Sequence, residues 1–340
     1  MESVEPMVCG KGGGGGIGSR AASALSWLLT EGSPCVRYRA LTEVLELPPD
    51  EREVQNAREA IDGDPQVVAL FGKMHPDGYW LLRGKGAGVD YANGGSTHFI
   101  IYYLSELGLD RSDPRMARAV ERYLDLGEAD ACGTQPWQIP PDFRNHQSCL
   151  YAYNLRSFIR AGYRDDPRVK ERIQVLLDDS RWDGGYLCNR PSLRSTTKSC
   201  MRGCLKALSA FAELPELRDT PACKGLVDYF LRRHLFFRSD AVGTGPEGWV
   251  RPEFTSPRFP FTIYGSLLEV MYSISKLGYG NHPATQEGWE YLERWSEADG
   301  RCRLAHSPKV PFVAGAYDRP NEWATLYALL AWKYRGAGPK

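Results

Sequence analysis

Side chains that can move protons or attack carbon recur at the starts of predicted helices. Cys35, His98, Cys149, Cys200 and Tyr264 each fall in the first turn of a helical stretch. A helix N-terminus attracts anions and lowers the pKa of a thiol, because its free N–H groups carry positive partial charge. His, Cys and Tyr can all act as general acids or bases when burial tunes their pKa values. The pattern indicates one site that bears thiols and an imidazole.

A role can be assigned to each member of this group. We predict that His98 shuttles a proton, that Cys149 and Cys200 are acid–base or nucleophilic partners, and that Lys198 and Tyr264 orient the substrate. Six further residues on or near these helix starts are expected to bind the substrate: Asp90, Tyr102, Tyr151, His146, Cys204 and Trp323. The alternative is ordinary core packing, because Cys is among the most buried residue types and behaves as a small hydrophobe.

The same cysteines offer a possible metal site. Cys200 and Cys204 are four residues apart and share a helix face, so Cys149 with His98 or His146 could complete a Cys₃His zinc site. The compact paired spacing of a zinc finger is missing from the sequence. We therefore expect no cofactor and no metal, with zinc at this cluster as the alternative.

The elements that position these residues come from an internal repeat. Asp64-Pro65, Asp113-Pro114, Asp166-Pro167, Thr220-Pro221 and His282-Pro283 have prolines 49, 53, 54 and 62 residues apart. Asp or Thr followed by Pro favours a helix start, because the side-chain oxygen caps a free N–H and proline lacks one. A second helical stretch precedes most of these starts. A period near 50 with two helices in each unit predicts stacked helical hairpins.

The two helices of a unit differ in their apolar pattern. The helix after Asp166 has Val169, Ile173 and Leu176 on one face, whereas the helix from Cys149 is apolar nearly all round. One-sided helices lie at a surface and all-round apolar helices are buried. Thirteen helical stretches between residues 21 and 335 then predict an all-α fold, an α/α toroid of about six hairpins with inner and outer helix rings. We expect residues 21–336 to be one domain after a disordered glycine-rich segment, 1–20, with an open solenoid as the alternative.

A recurring turn gives this pattern a family resemblance. Asp77-Gly78-Tyr79-Trp80, Asp183-Gly184-Gly185-Tyr186 and Asp299-Gly300-Arg301 follow outer helices, and residues 70–80 and 291–301 resemble the aromatic Gly-x-Trp repeat of squalene cyclases and protein prenyltransferases. Residues 23–335 as a whole resemble squalene-cyclase-like members of the terpenoid cyclase/prenyltransferase α/α-toroid superfamily. Segments 96–99, 198–200, 259–261 and 321–326 carry the same resemblance.

The resemblance implies an enzyme that acts on a small hydrophobic, isoprenoid substrate in a central aromatic cavity. Cyclisation, isomerisation or hydration/dehydration by acid–base chemistry would be the reaction, as in an isomerase or a lyase. The Asp-x-Asp-Asp acid of squalene-type cyclases does not occur in the sequence, so squalene-type protonation is not expected.

Two other functions remain open at this stage. One is a non-catalytic helical scaffold that binds a protein or peptide, for which we expect a filled centre and an exposed aromatic patch. The other is a carbohydrate-active toroid, a class that typically needs paired carboxyl groups. Apart from Glu322 and Asp90, the predicted inner helices offer few acids for that chemistry.

Composition excludes several partners. The 340 residues contain 42 Lys and Arg and 42 Asp and Glu, and this balance argues against nucleic acid, whose phosphates draw on surplus basic charge. No apolar run approaches the roughly 18 residues of a membrane-spanning helix, so we expect no membrane insertion. Nine cysteines, an odd number, and an N-terminus without a secretory pattern predict a reduced, cytoplasmic protein. The sequence leaves the oligomeric state open.

Overall fold

Helices make up almost all regular structure in the described part of the chain. The computed structural model describes residues 15–81, 94–131, 148–187 and 198–336. Thirteen α-helices lie in that part: α1 (Gly15–Glu31), α2 (Pro34–Arg39), α3 (Arg52–Ala60), α4 (Pro65–Phe71), α5 (Thr97–Glu106), α6 (Pro114–Ala131), α7 (Ser148–Phe158), α8 (Pro167–Asp178), α9 (Met201–Phe211), α10 (Pro221–Leu231), α11 (Leu267–Ile274), α12 (Gln286–Arg294) and α13 (Glu322–Arg335). Short 3₁₀ and π-helical segments, such as Ala40–Val44 directly after α2, and isolated β-bridges occur beside them in these ranges. The predicted all-α class is confirmed.

Capping side chains start the outer helices where the repeat predicts. Helices α4, α6, α8 and α10 each begin at the predicted proline. The side chains of Asp64, Asp166 and Thr220 each accept a hydrogen bond from a backbone N–H in the first turn. At the fifth start, Nδ1 of His282 accepts from the N–H of Ala284 at 3.1 Å. Local capping chemistry therefore sets the repeat.

The inner and outer rings are those of an α/α toroid. Helices α5, α7, α9, α11 and α13 pack each on the next, and α13 packs on α2. Arg39 of α2 donates to Glu106 of α5 at 2.8 Å, which closes the inner ring. All ten residues of α5 and all eight of α11 are buried, whereas α8 and α12 bury one face. Glu322 accepts from the N–H of Ser33 at 2.7 Å, and Arg20 pairs with Glu293 at 2.5 Å. These contacts join the two ends of the chain and rule out an open solenoid.

A loop, rather than a helix, enters the centre of the ring. The sequence predicts an inner helix over 260–278, but α11 begins only at Leu267. Phe259, in the loop before it, stacks on Trp323 with ring centroids 4.8 Å apart. The ring of Phe261 lies 4.6 Å from that of Tyr327.

Hydrogen bonds hold this loop in place. The hydroxyl of Tyr153 donates to the carbonyl of Phe261 at 3.0 Å, and the N–H of Phe261 donates to the hydroxyl of Tyr102 at 3.2 Å. Both tyrosines are buried. Aromatic side chains therefore fill the region where the sequence predicts an open aromatic cavity.

The ends of the predicted domain are described in part. Helix α1 begins at Gly15, inside the segment 1–20 that is expected to be disordered, and residues 1–14 lie outside the described part. The single-domain boundaries stay a prediction. Among the described helices, none combines the length and the apolar character needed to cross a bilayer.

Candidate functional site

His98 and Cys149, the leading sequence candidates, are buried in the inner ring. They lie on α5 and α7 and expose 1% and 0% of their surface. The imidazole of His98 packs on the ring of Phe99, with centroids 4.3 Å apart. Burial lowers the pKa of the Lys206 ammonium. Cys149 lies close enough to this ammonium to act on its pKa in the opposite direction. Both residues sit within packed surroundings at the N-terminal ends of their helices.

Three other candidates face the outer ring. The thiol of Cys204 accepts from the N–H of Tyr186 at 3.2 Å, and burial raises its pKa. Cys200 immediately precedes α9, and its backbone N–H donates to the carbonyl of Tyr186. The guanidinium of Arg172, on outer helix α8, lies 5.3 Å from the centre of the Tyr151 ring. Cys204 and Tyr151 therefore pack between the two rings rather than at the centre, and Cys200 lies at the start of α9.

The remaining candidates are spread over the surface and the centre. Lys198 is exposed, and Tyr264 lies in the loop before α11, 41% exposed and stacked on Arg202. Tyr102 and Trp323 contact the inserted phenylalanines at the centre. Asp90 and His146 lie outside the described residues. The described candidates thus do not meet in one cavity, and their roles stay predictions.

Within the described residues, no three His, Cys, Asp or Glu side chains are grouped so as to hold a metal ion. No disulfide involves Cys200, Cys204 or the other four cysteines of these ranges.

The opposite end of the ring holds a charged pocket that sequence reasoning missed. Its volume is about 330 Å³, and it lies at the C-terminal ends of the inner helices. The residues that line it are Tyr38, Arg39, Thr42, Glu43, Glu46, Ser105, Gly108, Asp110, Arg160, Lys276 and Tyr334. Helix C-termini favour cations, which fits the placement of Arg39, Arg160 and Lys276 near the ends of α2, α7 and α11.

A fully buried carboxylate lies behind this pocket. Glu106, the last residue of α5, accepts from Nη1 of Arg39 at 2.8 Å and also from Arg156 and the hydroxyl of Tyr327. Burial by itself would raise the pKa of Glu106, but Arg156, Arg160 and Arg39 outweigh it and hold the pKa at about 2. The carboxylate is therefore ionised at neutral pH.

Two more carboxylates pair with the cations of the pocket. Oε1 of Glu43 lies 2.6 Å from Nε of Arg39 and 2.8 Å from Nη2 of Arg160. Glu213 accepts from the ammonium of Lys276 at 2.6 Å and lies 3.4 Å from Nη1 of Arg160. Burial opposes ionisation of both acids, but the cations prevail: the pKa of Glu43 is well below its usual range, and that of Glu213 is about 2.

One sequence pattern could have found this network. Glu106 ends an apolar run, and Lys206 and Glu269 interrupt helices that are otherwise apolar all round. A charge on such a helix is buried, so it must find a partner. The ammonium of Lys206 indeed lies 2.6 Å from both carboxylate oxygens of Glu269. Charged residues on apolar helices were therefore the sign of long-range ion pairs.

Several solved structures align with this chain over most of its length at low sequence identity. A glycosyl hydrolase of family 88 from Bacteroides vulgatus is 12% identical with a TM-score of 0.49, and 93% of this chain aligns with 97% of that one. A polysaccharide lyase is 14% identical with a TM-score of 0.45, over 93% and 97% of the two chains. A protein from Actinoplanes is 15% identical with a TM-score of 0.44, over 94% and 99%. No family model and no curated protein matches the chain.

These comparisons correct the family expected from the sequence. Two of these three similar structures are named for an activity, and they are a glycosyl hydrolase and a polysaccharide lyase, not terpenoid cyclases. The squalene-cyclase resemblance is wrong, and so are the isoprenoid reaction and the small hydrophobic ligand that it implied. The physical reason is that the Asp-Gly motif makes a turn: Gly78, Gly184 and Gly300 have φ of +86°, +78° and +85°, which glycine adopts without steric cost. Such a motif reports the fold and not the chemistry.

Proposed function

We propose that the charged pocket binds a neutral saccharide. Its volume of about 330 Å³ falls within the range of small-molecule sites. Arg160 and Lys276 offer donors in its wall, and Glu43, Glu46 and Asp110 offer acceptors. A sugar hydroxyl donates and accepts, so it can pair with both kinds of group. This mixture of donors and acceptors around an open cavity is the observation that carries the proposal.

The charges of the wall also limit the ligand. An apolar ligand would strip water from these groups without replacing their hydrogen bonds, which costs free energy. Three acidic and three basic residues line the pocket. Each basic residue already has a carboxylate partner: Arg39 and Arg160 contact Glu43, and Lys276 contacts Glu213. A charged ligand would have to break one of these pairs, whereas a neutral ligand would not.

The ionisation of Glu43, Glu106 and Glu213 argues against these three acids as the proton donor of a hydrolysis. Most glycoside hydrolases need one carboxyl group that is protonated near neutral pH, with a raised pKa, beside a second that is ionised. Glu43, Glu106 and Glu213 all have lowered pKa values. None of them can supply the proton. Because one fold hosts many unrelated functions, the lining of this pocket, and not the shared fold, supports the proposal.

Titration calorimetry with a panel of neutral, acidic and amino saccharides tests it. The variant Thr42→Trp fills the pocket without removing a charge, and it should weaken binding of a neutral saccharide at least tenfold. Thr30→Trp is a matched control outside the pocket lining. Each threonine sits on a helix and donates its hydroxyl to the carbonyl four residues earlier at 2.9 Å, Ser26 for Thr30 and Tyr38 for Thr42.

The control should bind as the wild type does, and both variants should keep its melting temperature within a few degrees. Binding that survives Thr42→Trp, or a panel in which no saccharide binds, would refute the proposal. Binding of a peptide in the same measurement, with no saccharide bound, would instead favour the scaffold alternative.

A further inference from the structure

Glu46 occupies a backbone conformation that normally belongs to glycine. Its φ is +55°, in the left-handed region that a residue with a Cβ rarely adopts. Where three other inner helices end, glycine takes this role: Gly108, Gly162 and Gly278 have φ of +87°, +86° and +93°. The backbone at Glu46, which follows α2, is therefore strained, and glycine at this position would relieve the strain.

Local contacts do not account for that strain. The carboxylate of Glu46 lies 2.7 Å from the ammonium of Lys333, but its side chain remains 68% exposed. Ion pairs at such exposed positions contribute little to stability. Lys333 also donates to the carbonyl of Glu43 at 2.6 Å, so it keeps a partner without Glu46. The carboxylate lines the mouth of the charged pocket instead.

Strained residues cluster at binding and catalytic sites, where the side chain is needed in one position. We propose that Glu46 is a ligand-binding residue of the pocket, and that its carboxylate accepts hydrogen bonds from hydroxyl groups of the saccharide that extend to the mouth. This inference rests on the proposed function and adds a specificity: the ligand must present free hydroxyls at that end. A ligand whose hydroxyls there are methylated cannot donate and is excluded.

The variant Glu46→Gly tests the inference because glycine relieves the strain and removes the acceptor together. Its melting temperature should rise by about 1–3 °C. Its affinity for the saccharide that binds the wild type should fall at least tenfold. It should also no longer discriminate between that saccharide and its O-methylated form, which the wild type rejects.

Asp318 provides a matched control on the opposite side of the molecule. Its φ is +57°, its side chain is 74% exposed, and its carboxylate pairs with Arg303 at 2.9 Å. It precedes the start of α13, whereas Lys333 and Glu46 meet near the end of that helix. Asp318→Gly should raise the melting temperature to a similar extent and leave saccharide binding unchanged.

The outcomes separate this inference from the proposed function. If the wild type binds and Glu46→Gly binds within twofold of it, the inference is wrong and the proposed function stands. A lower melting temperature together with lost binding would show that Glu46 is a structural anchor for Lys333, which also overturns the inference. If the wild type binds no saccharide of the panel, both the inference and the proposed function are wrong.

Discussion

The two ends of the helical ring are built from the same six inner helices but hold opposite kinds of side chain. At the N-terminal end, Phe259 stacks on Trp323 and the inserted loop closes the centre. At the C-terminal end, acids and bases from the last turns surround an open pocket. An apolar side chain is stabilised simply by burial away from water, whereas each buried charge needs a partner at hydrogen-bonding distance. The difference shows that apolar packing closes one end of this ring, whereas ion pairs hold the side chains of the other end around an open pocket.

Acid should have the largest effect on the charged end. The folded pKa of Glu106 and of Glu213 is about 2, below the ordinary value of 4.5, so the unfolded chain binds more protons between these values. Their stabilisation is complete above pH 4.5 and is lost as the pH falls toward 2. We expect the free energy of unfolding to drop by roughly 5 kcal/mol over that range, less than two independent groups would give because they share Arg156 and Arg160.

Denaturant unfolding at a series of pH values measures this loss. Glu106→Gln, which cannot titrate at that position, should show a shallower dependence on pH than the wild type. Equal slopes in the two proteins would mean that the buried carboxylates do not control acid stability.

Removal of one buried carboxylate should have the next largest effect. Glu106→Ala leaves the guanidinium groups of Arg39 and Arg156 without this partner in a dry interior. Breaking a buried pair in this way costs about 3–5 kcal/mol. The exposed Glu59, on α3, is a matched control whose change to Ala should shift the free energy of unfolding by less than about 0.5 kcal/mol. Similar small effects at both positions would contradict the role of ion pairs at this end.

A thiol of the sealed end should give the smallest effect. Cys149 is fully buried, so Cys149→Ser adds a hydroxyl that must find a partner and should cost about 1–3 kcal/mol. Cys149→Ala should cost less, because it removes one atom and adds no polar group. Neither change should alter saccharide affinity by more than twofold, since the pocket lies at the other end of the ring. Affinity that falls without a loss of stability would move the site to the thiol-bearing end.

Sequence patterns predicted the ring well because the relevant interactions are local. Asp64 and Asp166 accept from a backbone N–H two residues later, and Thr220 from one three residues later. Burial of whole helices follows from apolar side chains on every face, which the sequence displays directly. Capping and periodicity therefore determined the fold class, the helix starts and the split into inner and outer rings.

Only the tertiary structure decided where the candidate site lies. Glu106 meets Arg39, Arg156 and Tyr327, which are 67, 50 and 221 positions away along the chain. No local pattern encodes such separations. The loop that carries Phe261 enters the centre through contacts with three different helices, so the sequence could not show that the thiol-bearing end is filled. The amino acids determined that charges were buried on apolar helices, and closure of the ring determined which charges meet and which end remains open.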